Sequence, residues 1–475
     1  MKTYFLNIIL FISILNFSPL NAQVIGEKVI AEGFDTVWEL IWGPDDYIWV
    51  TERIGKISRV NPETGEVILI GEVSDVLEKA ELGLMGMVLH PEFEETPHVF
   101  VVYTRIWEYE DKLYPNEAVV KRFTYDGEKL VDPVIIFDRI PIGGGTHAGA
   151  RLFIDDDMTM YLTMGDARLG GGTGNGDLAQ DLNSLNGKVL RMNLDGSAPD
   201  DNPFYEIAGI NNYIWSYGHR NSQGFVKANG YFYASEHGPN TNDELNMIEK
   251  GRNYGWPNVN GFCTSSNEIV FCDENDVREP MAVYYDDRTL AISGMDYYEN
   301  DRIPEWNNSL LIAALRQQLI VVAKLSEDGL EVIESTELFS DVFGRLREVM
   351  VSPDGRVFIG TSNWDAYGDK RNNSDKIIEL WPNKNSVKKN DNMLKIYPNP
   401  SSGQIKISSD KTLMDYELYN QYGQLILEDM FLFSSNNRIT GGLIEELNLN
   451  LNNGIYYIKL NSNFNSYVER IVISK

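Results

Sequence analysis

The chain has 475 residues, 43% hydrophobic and 11% aromatic, which suits a large core with a small accessory domain and excludes a disordered chain. A formal net charge of −29 excludes nucleic acid as a partner, since phosphate binding needs clustered cations. Forty glycines and 25 tyrosines favour β-structure with many tight turns.

The N-terminus begins with Lys2, continues with a mainly apolar stretch over residues 4–17, and reaches the small residue Ala22. That order predicts a signal peptide, residues 1–22, cut before Gln23. No later segment is apolar for long enough to cross a membrane, so the mature chain is expected to have no stable membrane span.

From Leu40 the segment "LIWGPDDYIWVTERIGKISRV" reads as three strands around the acidic turn at Asp45 and Asp46. The pattern returns as "RLFIDDDMTMYLTMGD" from Arg151, closed by "GKVLRMNLDG", and as "VMVSPDGRVFIGTS" from Val349, closed by "KIIELW". Looser copies start near Gly86, Gly224 and Ser309. Repeated hairpin units that cannot bury both faces alone predict an all-β fold, a six-bladed β-propeller over residues 23–381. Cys263 and Cys272, the two cysteines of an exported chain, are expected to form a local disulfide. The polar run "PNKNSVKKNDN" predicts a linker at 382–392. Short alternating strands after it predict a small C-terminal β-sandwich at 393–475.

Three of the five histidines lie in glycine-flanked loops: His147 in "GGGTHAGARL", His219 in "SYGHRNSQG" and His237 in "SEHGPNTNDELN". Glycine allows close approach to a ligand, and loops on a rigid scaffold carry function. The segment "SEHGPNTNDELNMIEKGRNYGWPNVNG", residues 235–261, resembles the calcium and quinone loop of the glucose/sorbosone dehydrogenase family, the soluble quinoprotein sugar dehydrogenases. "ELGLMGMVLHPEF", "YGHRN", "TLAISGM", "AALRQQL" and "GRLREVMVSPDG" follow the family's order, over roughly residues 30–381.

The resemblance implies oxidation of aldoses at the anomeric carbon to lactones, with pyrroloquinoline quinone (PQQ) and calcium, and with electrons leaving to an external acceptor. It assigns His147 as the base and Arg220 as the cation beside the reaction centre. Asp166 falls near the sugar. Glu81, Asn221, Thr289, Arg316, Arg345 and Arg347 match the cofactor-binding positions. The carbonyls of Gly238 and Pro239 match the ligands of the active-site calcium; Glu244 and Tyr254 match positions that hold a second ion. Asn260, Phe262 and Thr264 fall where other ligands of that ion lie, and Thr264 replaces a carboxylate. Tyr284 and Tyr285 are candidates for the aromatic cover over the sugar. The chain has no glycine-rich strand–turn–helix unit of the dinucleotide type, which argues against NAD or FAD. A propeller lactonase would need further Asn and Asp ligands facing the channel, and a non-enzymatic binding propeller would have no use for His147 and Arg220. The opening "YPNPSSG" and closing "VERIVISK" of the last domain resemble the sorting domains read by type IX secretion machinery. That implies a secreted or cell-surface protein.

Overall fold

A computed structural model describes residues 25–382 apart from 110–111, 144, 168–176, 285–287, 366 and 369–374. It also describes 394–474 apart from 398, 400, 410–412, 421–424, 431–442 and 463–465. The expected signal peptide, most of the linker and Tyr285 lie outside the described residues.

Six four-stranded antiparallel sheets make the first unit. Blade one is Val37–Trp42, Ile48–Glu52, Lys56–Val60 and Val67–Glu72; blade two is Leu84–Leu89, His98–Tyr109, Lys112–Tyr125 and Leu130–Pro141. Blade three is Gly149–Ile154, Thr159–Met164, Lys188–Asn193 and Ile214–Tyr217, with the short helix α1 (Asp177–Gln180) before its third strand. Blade four is Ser222–Ala228, Tyr231–Glu236, Asp243–Ile248 and Ala282–Tyr284; blade five is Ile292–Tyr298, Ser309–Ala314, Leu319–Leu325 and Val332–Leu338. Blade six joins Leu346–Val351, Val357–Thr361 and Asp375–Pro382 to the N-terminal strand Ile25–Phe34, which pairs antiparallel with Asp375–Pro382 and closes the ring. Pro382, which composition puts in the linker, is the last residue of that strand and faces Ile25.

The first strands of successive blades pack against one another around the ring and form its inner wall. The core is six apolar layers, one between each pair of neighbouring blades. The strand Ser309–Ala314 explains how one sequence serves two layers. Leu310, Ile312 and Ala314 pack into the layer with blade four, and Leu311 and Ala313 into the layer with blade six. Successive side chains of a strand point to opposite faces, so a strand buried on both faces must be apolar throughout.

Between blade-four strands the chain makes an excursion stapled by the expected disulfide, Cys263–Cys272 (S–S 1.96 Å). It contains α2 (Ser266–Asn275), started by a capping box between Ser265 and Glu268. Among the described residues no helix is long and apolar enough to cross a membrane.

The second compact unit, residues 383–475, has a three-stranded and a four-stranded antiparallel sheet. Ile405 and Ile407 of the first meet Tyr416, Leu418, Ile458 and Ile471 of the second in one apolar layer, the sandwich expected from the pattern.

Candidate active site

The expected site residues collect at one end of the ring. Glu81, His147, Arg220, Asn221, Thr289 and Arg345 all lie just before the first strand of their blades, and Arg347 is the second residue of such a strand. The inner strands run in the same sense around a closed ring, so their leading ends make one rim. Loops from five blades thereby meet at one place.

His147 is buried with φ +60°, a conformation that non-glycine residues rarely adopt. The tight crossing of blade three accounts for it. A Cβ on Gly165 would come 2.2 Å from the His147 carbonyl, so only glycine lets Asp166 pass this close. Asp166, fully buried, accepts from His147 Nδ1 at 2.7 Å, and the His147 amide donates to Glu81 Oε2 at 3.1 Å. A carboxylate on Nδ1 keeps the proton there and leaves the Nε2 lone pair outward. Arg220 donates to that Nε2 at 3.0 Å. It also donates to the His237 carbonyl at 2.9 Å, and its backbone N–H donates to Glu236. Burial pushes the Arg220 guanidinium down, with Asp166, Glu236, Glu81 and Asp243 acting against that. Its Nε has no hydrogen-bond partner among the described residues.

Asn221 is committed on one side, its Oδ1 accepting from Gly149 at 3.0 Å and its Nδ2 lying 3.4 Å from His237 Nδ1. His237 is held well below the usual histidine range by burial and then by Arg220. The Thr289 hydroxyl donates to Asp243 at 2.8 Å, and Asp243 also accepts from the Gly238 and Ala291 amides at 2.8 Å. Thr289 therefore supports the 238–243 loop as well as lining the rim. In that loop a Cβ on Gly238 would meet the Thr241 carbonyl at 1.8 Å. No hydrogen bond is accepted by the Gly238 or Pro239 carbonyl among the described residues.

Arg345 and Arg347 converge on one buried carboxylate, Asp365. Arg345 Nη2 reaches its Oδ2 at 2.9 Å and Arg347 Nη2 at 3.4 Å. Burial alone would raise Asp365, but the two arginines outweigh it and hold it below the usual range. Arg347 also donates to Gln223 at 3.1 Å, and Arg345 to the Leu315 carbonyl at 3.3 Å, which brings the exposed Arg316 to the same rim.

The two positions matched to a second ion do not share a centre of side chains. Glu244 accepts from the Gly261 amide at 2.7 Å and Asn246 at 3.0 Å, and burial, with Glu236 nearby, pushes it up to about 8. The Tyr254 hydroxyl donates to the Met247 carbonyl at 2.6 Å and its ring stacks on His219 at 4.5 Å. The Asn260 carbonyl accepts from Asn242 at 3.0 Å. Among the described residues no group of three or more His, Cys, Asp or Glu is gathered for a metal. Tyr284 is buried between blades four and five, its hydroxyl 3.5 Å from Ser335, a packing position rather than a sugar cover.

Asp243, Asp365 and Trp256 are site residues that sequence reading leaves out. Trp256 lies in "NYGWPN", inside the segment 235–261 that resembles the family's calcium and quinone loop, but nothing in the run marks its partner; Asp365, in "TSNWDAYG", carries no signal.

Fold and site together define a propeller enzyme with an aspartate-oriented histidine and an arginine facing it at the rim of the inner strands. The chain belongs to the glucose/sorbosone dehydrogenase family, whose model matches residues 34–368. Residues 395–474 match the secretion system C-terminal sorting domain. The chain is 31% identical over 419 residues to the quinoprotein glucose dehydrogenase B of Acinetobacter calcoaceticus, covering 72% of this chain and 86% of that one. It is 31% identical over 346 residues to an aldose sugar dehydrogenase of Escherichia coli, with 70% and 89% covered. The PQQ-bound aldose sugar dehydrogenase of Streptomyces coelicolor superposes with a TM-score of 0.62 at 31% identity, covering 76% of this chain and 98% of that one.

Proposed function

We propose that the protein oxidises an aldose at its anomeric carbon to the lactone, with PQQ and calcium bound at the rim and electrons passed to an external acceptor. The observation that carries this reading is the buried Asp166–His147–Arg220 line, with Nδ1 protonated and Nε2 presented to the site. Family membership and the relatives' printed activities support sugar oxidation by a quinoprotein.

The donor set fits a tricarboxylate. Arg345 and Arg347, which share Asp365, and the exposed Arg316 supply cations, and Asn221, Thr289 and Glu81 supply polar groups at the same rim. The uncommitted carbonyls of Gly238 and Pro239 suit a hard cation; a second ion at the Glu244 and Tyr254 positions would have to use backbone carbonyls beside the Glu244 carboxylate, since the Tyr254 hydroxyl is bonded to Met247. PQQ, when bound, supplies the two-electron acceptor that no side chain can, and calcium supplies a Lewis acid.

The residues of the chain do the rest. A sugar hydroxyl that reaches Nε2 displaces the Arg220 donor, and His147 takes the hydroxyl proton at that atom. Asp166 then faces an imidazolium and stabilises it. Arg220, released from Nε2, is left to offset negative charge that develops on oxygen in a site where it is poorly screened.

The tail supports export by type IX secretion to the cell surface or beyond, with residues 1–22 as the signal, 382–392 as a linker and 393–475 as the sorting domain. The test is reconstitution of the purified chain with PQQ and calcium, a panel of aldoses and an artificial dye. Sugar-dependent dye reduction that needs both additions, and that disappears in His147→Ala with quinone binding retained, is the expected result. Absence of both quinone binding and turnover overturns the reading in favour of a binding propeller.

A further inference from the structure

We infer that Trp256 is a positioning residue for the His147–Asp166–Arg220 line, and that Gln180 of blade three holds it there. The kinetic part of this inference rests on the proposed function; the geometric part does not.

Trp256 is half-buried in the loop that follows the blade-four strand Asp243–Ile248. Its indole Nε1–H donates to Asp166 Oδ2 at 3.0 Å, while Asp166 Oδ1 binds His147 Nδ1 at 2.7 Å. A carboxylate engaged through both oxygens from two directions cannot turn about its Cβ–Cγ bond without breaking one of them. Its Oδ1 is therefore kept on the imidazole, and the imidazole keeps its proton on Nδ1. The face of the same indole lies 5.4 Å from the Arg220 guanidinium, so one side chain touches the group that orients the base and the cation that faces it.

The main chain of Trp256 is fixed from blade three. Gln180 Nε2 donates to the Trp256 carbonyl at 2.7 Å and to Asn253 Oδ1 at 2.9 Å, and Asn253 returns a bond to Gln180 Oε1 at 2.9 Å. The Trp256 amide donates to the Gly218 carbonyl at 3.0 Å. Gln180 ends α1, and the fully buried Lys188 holds that helix by donating to the Leu178 and Ala179 carbonyls at 2.8 and 3.0 Å. A ring needed only for packing would not require this grip or an N–H aimed at a carboxylate.

The experiment is long-range 15N NMR of the full chain labelled in its histidines, which number five and so give few signals. His147→Ala assigns the resonance. The native protein is expected to show His147 as the Nδ1–H tautomer. Trp256→Phe keeps an aromatic ring near Arg220 and removes the N–H donor together with the five-membered ring that carries it. It should lose the single-tautomer pattern and lower kcat about tenfold, with KM and the PQQ Kd changed less than about twofold. Gln180→Leu, which leaves the indole in the chain, should move both readouts in the same direction by less, and stands in if Trp256→Phe fails to fold. A native His147 pattern in the folded variants overturns the inference, and so does an altered pattern with native kcat. If no form of the protein turns over sugar, the proposed function fails on its own and the histidine spectra still decide the placement of Trp256.

Discussion

The proton on His147 is decided by neighbours that lie far away in the chain. Asp166 fixes it on Nδ1, and Arg220 occupies the other nitrogen. Asp166→Asn would keep the shape but offer an amide N–H or a weaker acceptor to Nδ1, allowing the wrong tautomer. We expect kcat to fall at least about a hundredfold with the PQQ Kd unchanged, measured by steady-state kinetics and by titration of quinone absorbance. Gly165→Ala is expected to lower the Tm and the activity together, because the added methyl would meet the His147 carbonyl at 2.2 Å; circular dichroism melting checks it. The glycine-flanked histidine and the "TMGDA" run make His147 and Asp166 legible in the sequence. Trp256 meets Asp166 across 90 residues, and Asp365 meets Arg345 across 20 around a turn, so neither pairing leaves a local pattern.

At the scale of the element, the inner strands carry a second buried charge group that the proposed chemistry does not use. Arg151 of blade three lies between Glu39 of blade one and Glu348 of blade six. Burial pushes Glu39 up to about 6, and Asp296 of blade five likewise to about 6; Glu348 is raised well above its ordinary value. Each of these carboxyls binds protons more tightly in the folded state than in the unfolded one. Their contribution is complete only below their ordinary values, 4.5 for the two glutamates and 3.8 for Asp296, and is lost as the pH rises through about 6 and above. Glu348→Gln mimics the protonated acid, so the stability difference should move in the variant's favour between pH 5 and pH 8. Urea unfolding at both values should register that change; an equal difference at both would show that Glu348 is ionised throughout. The first three strands of blades one, three and six are visible as alternating or wholly apolar runs, whereas in blade five the pattern begins only at its second strand, Ser309–Ala314. The outer strands were harder to read: Val67–Glu72 and Val332–Leu338 are largely exposed, so burial imposes little pattern on them.

For the whole molecule, the propeller depends on its ends. Ile25–Phe34 was not legible as the fourth strand of blade six, because its partner, Asp375–Pro382, lies at the opposite end of the repeat array. Removing residues 25–34 would strip the cover from Asp375–Pro382, taking with it Ile30, Ala31 and Phe34 from the layer with blade one. We expect such a chain to aggregate, read by size-exclusion chromatography, with loss of the cooperative melt. Binding acts at the same scale: an ion held only by the folded ring stabilises it, so stripping calcium with a chelator should lower the Tm and restoring calcium should recover it. A Tm indifferent to both would remove calcium from the proposal.

The register Ile25 opposite Pro382 also makes the propeller indifferent to where its chain begins. Its two ends are neighbours on adjacent strands, so a short bridge could join them while a new start is cut in an exposed turn, such as that at Glu327 and Asp328. Such a circular permutant would move the clasp: blade six would be continuous, and blade five would be closed by pairing of its new N-terminal strand, Val332–Leu338, with Leu319–Leu325. Its activity and melt should match those of the parent propeller. The blade at which the chain starts is then a matter of indifference, while the order of the blades around the ring is what the fold needs.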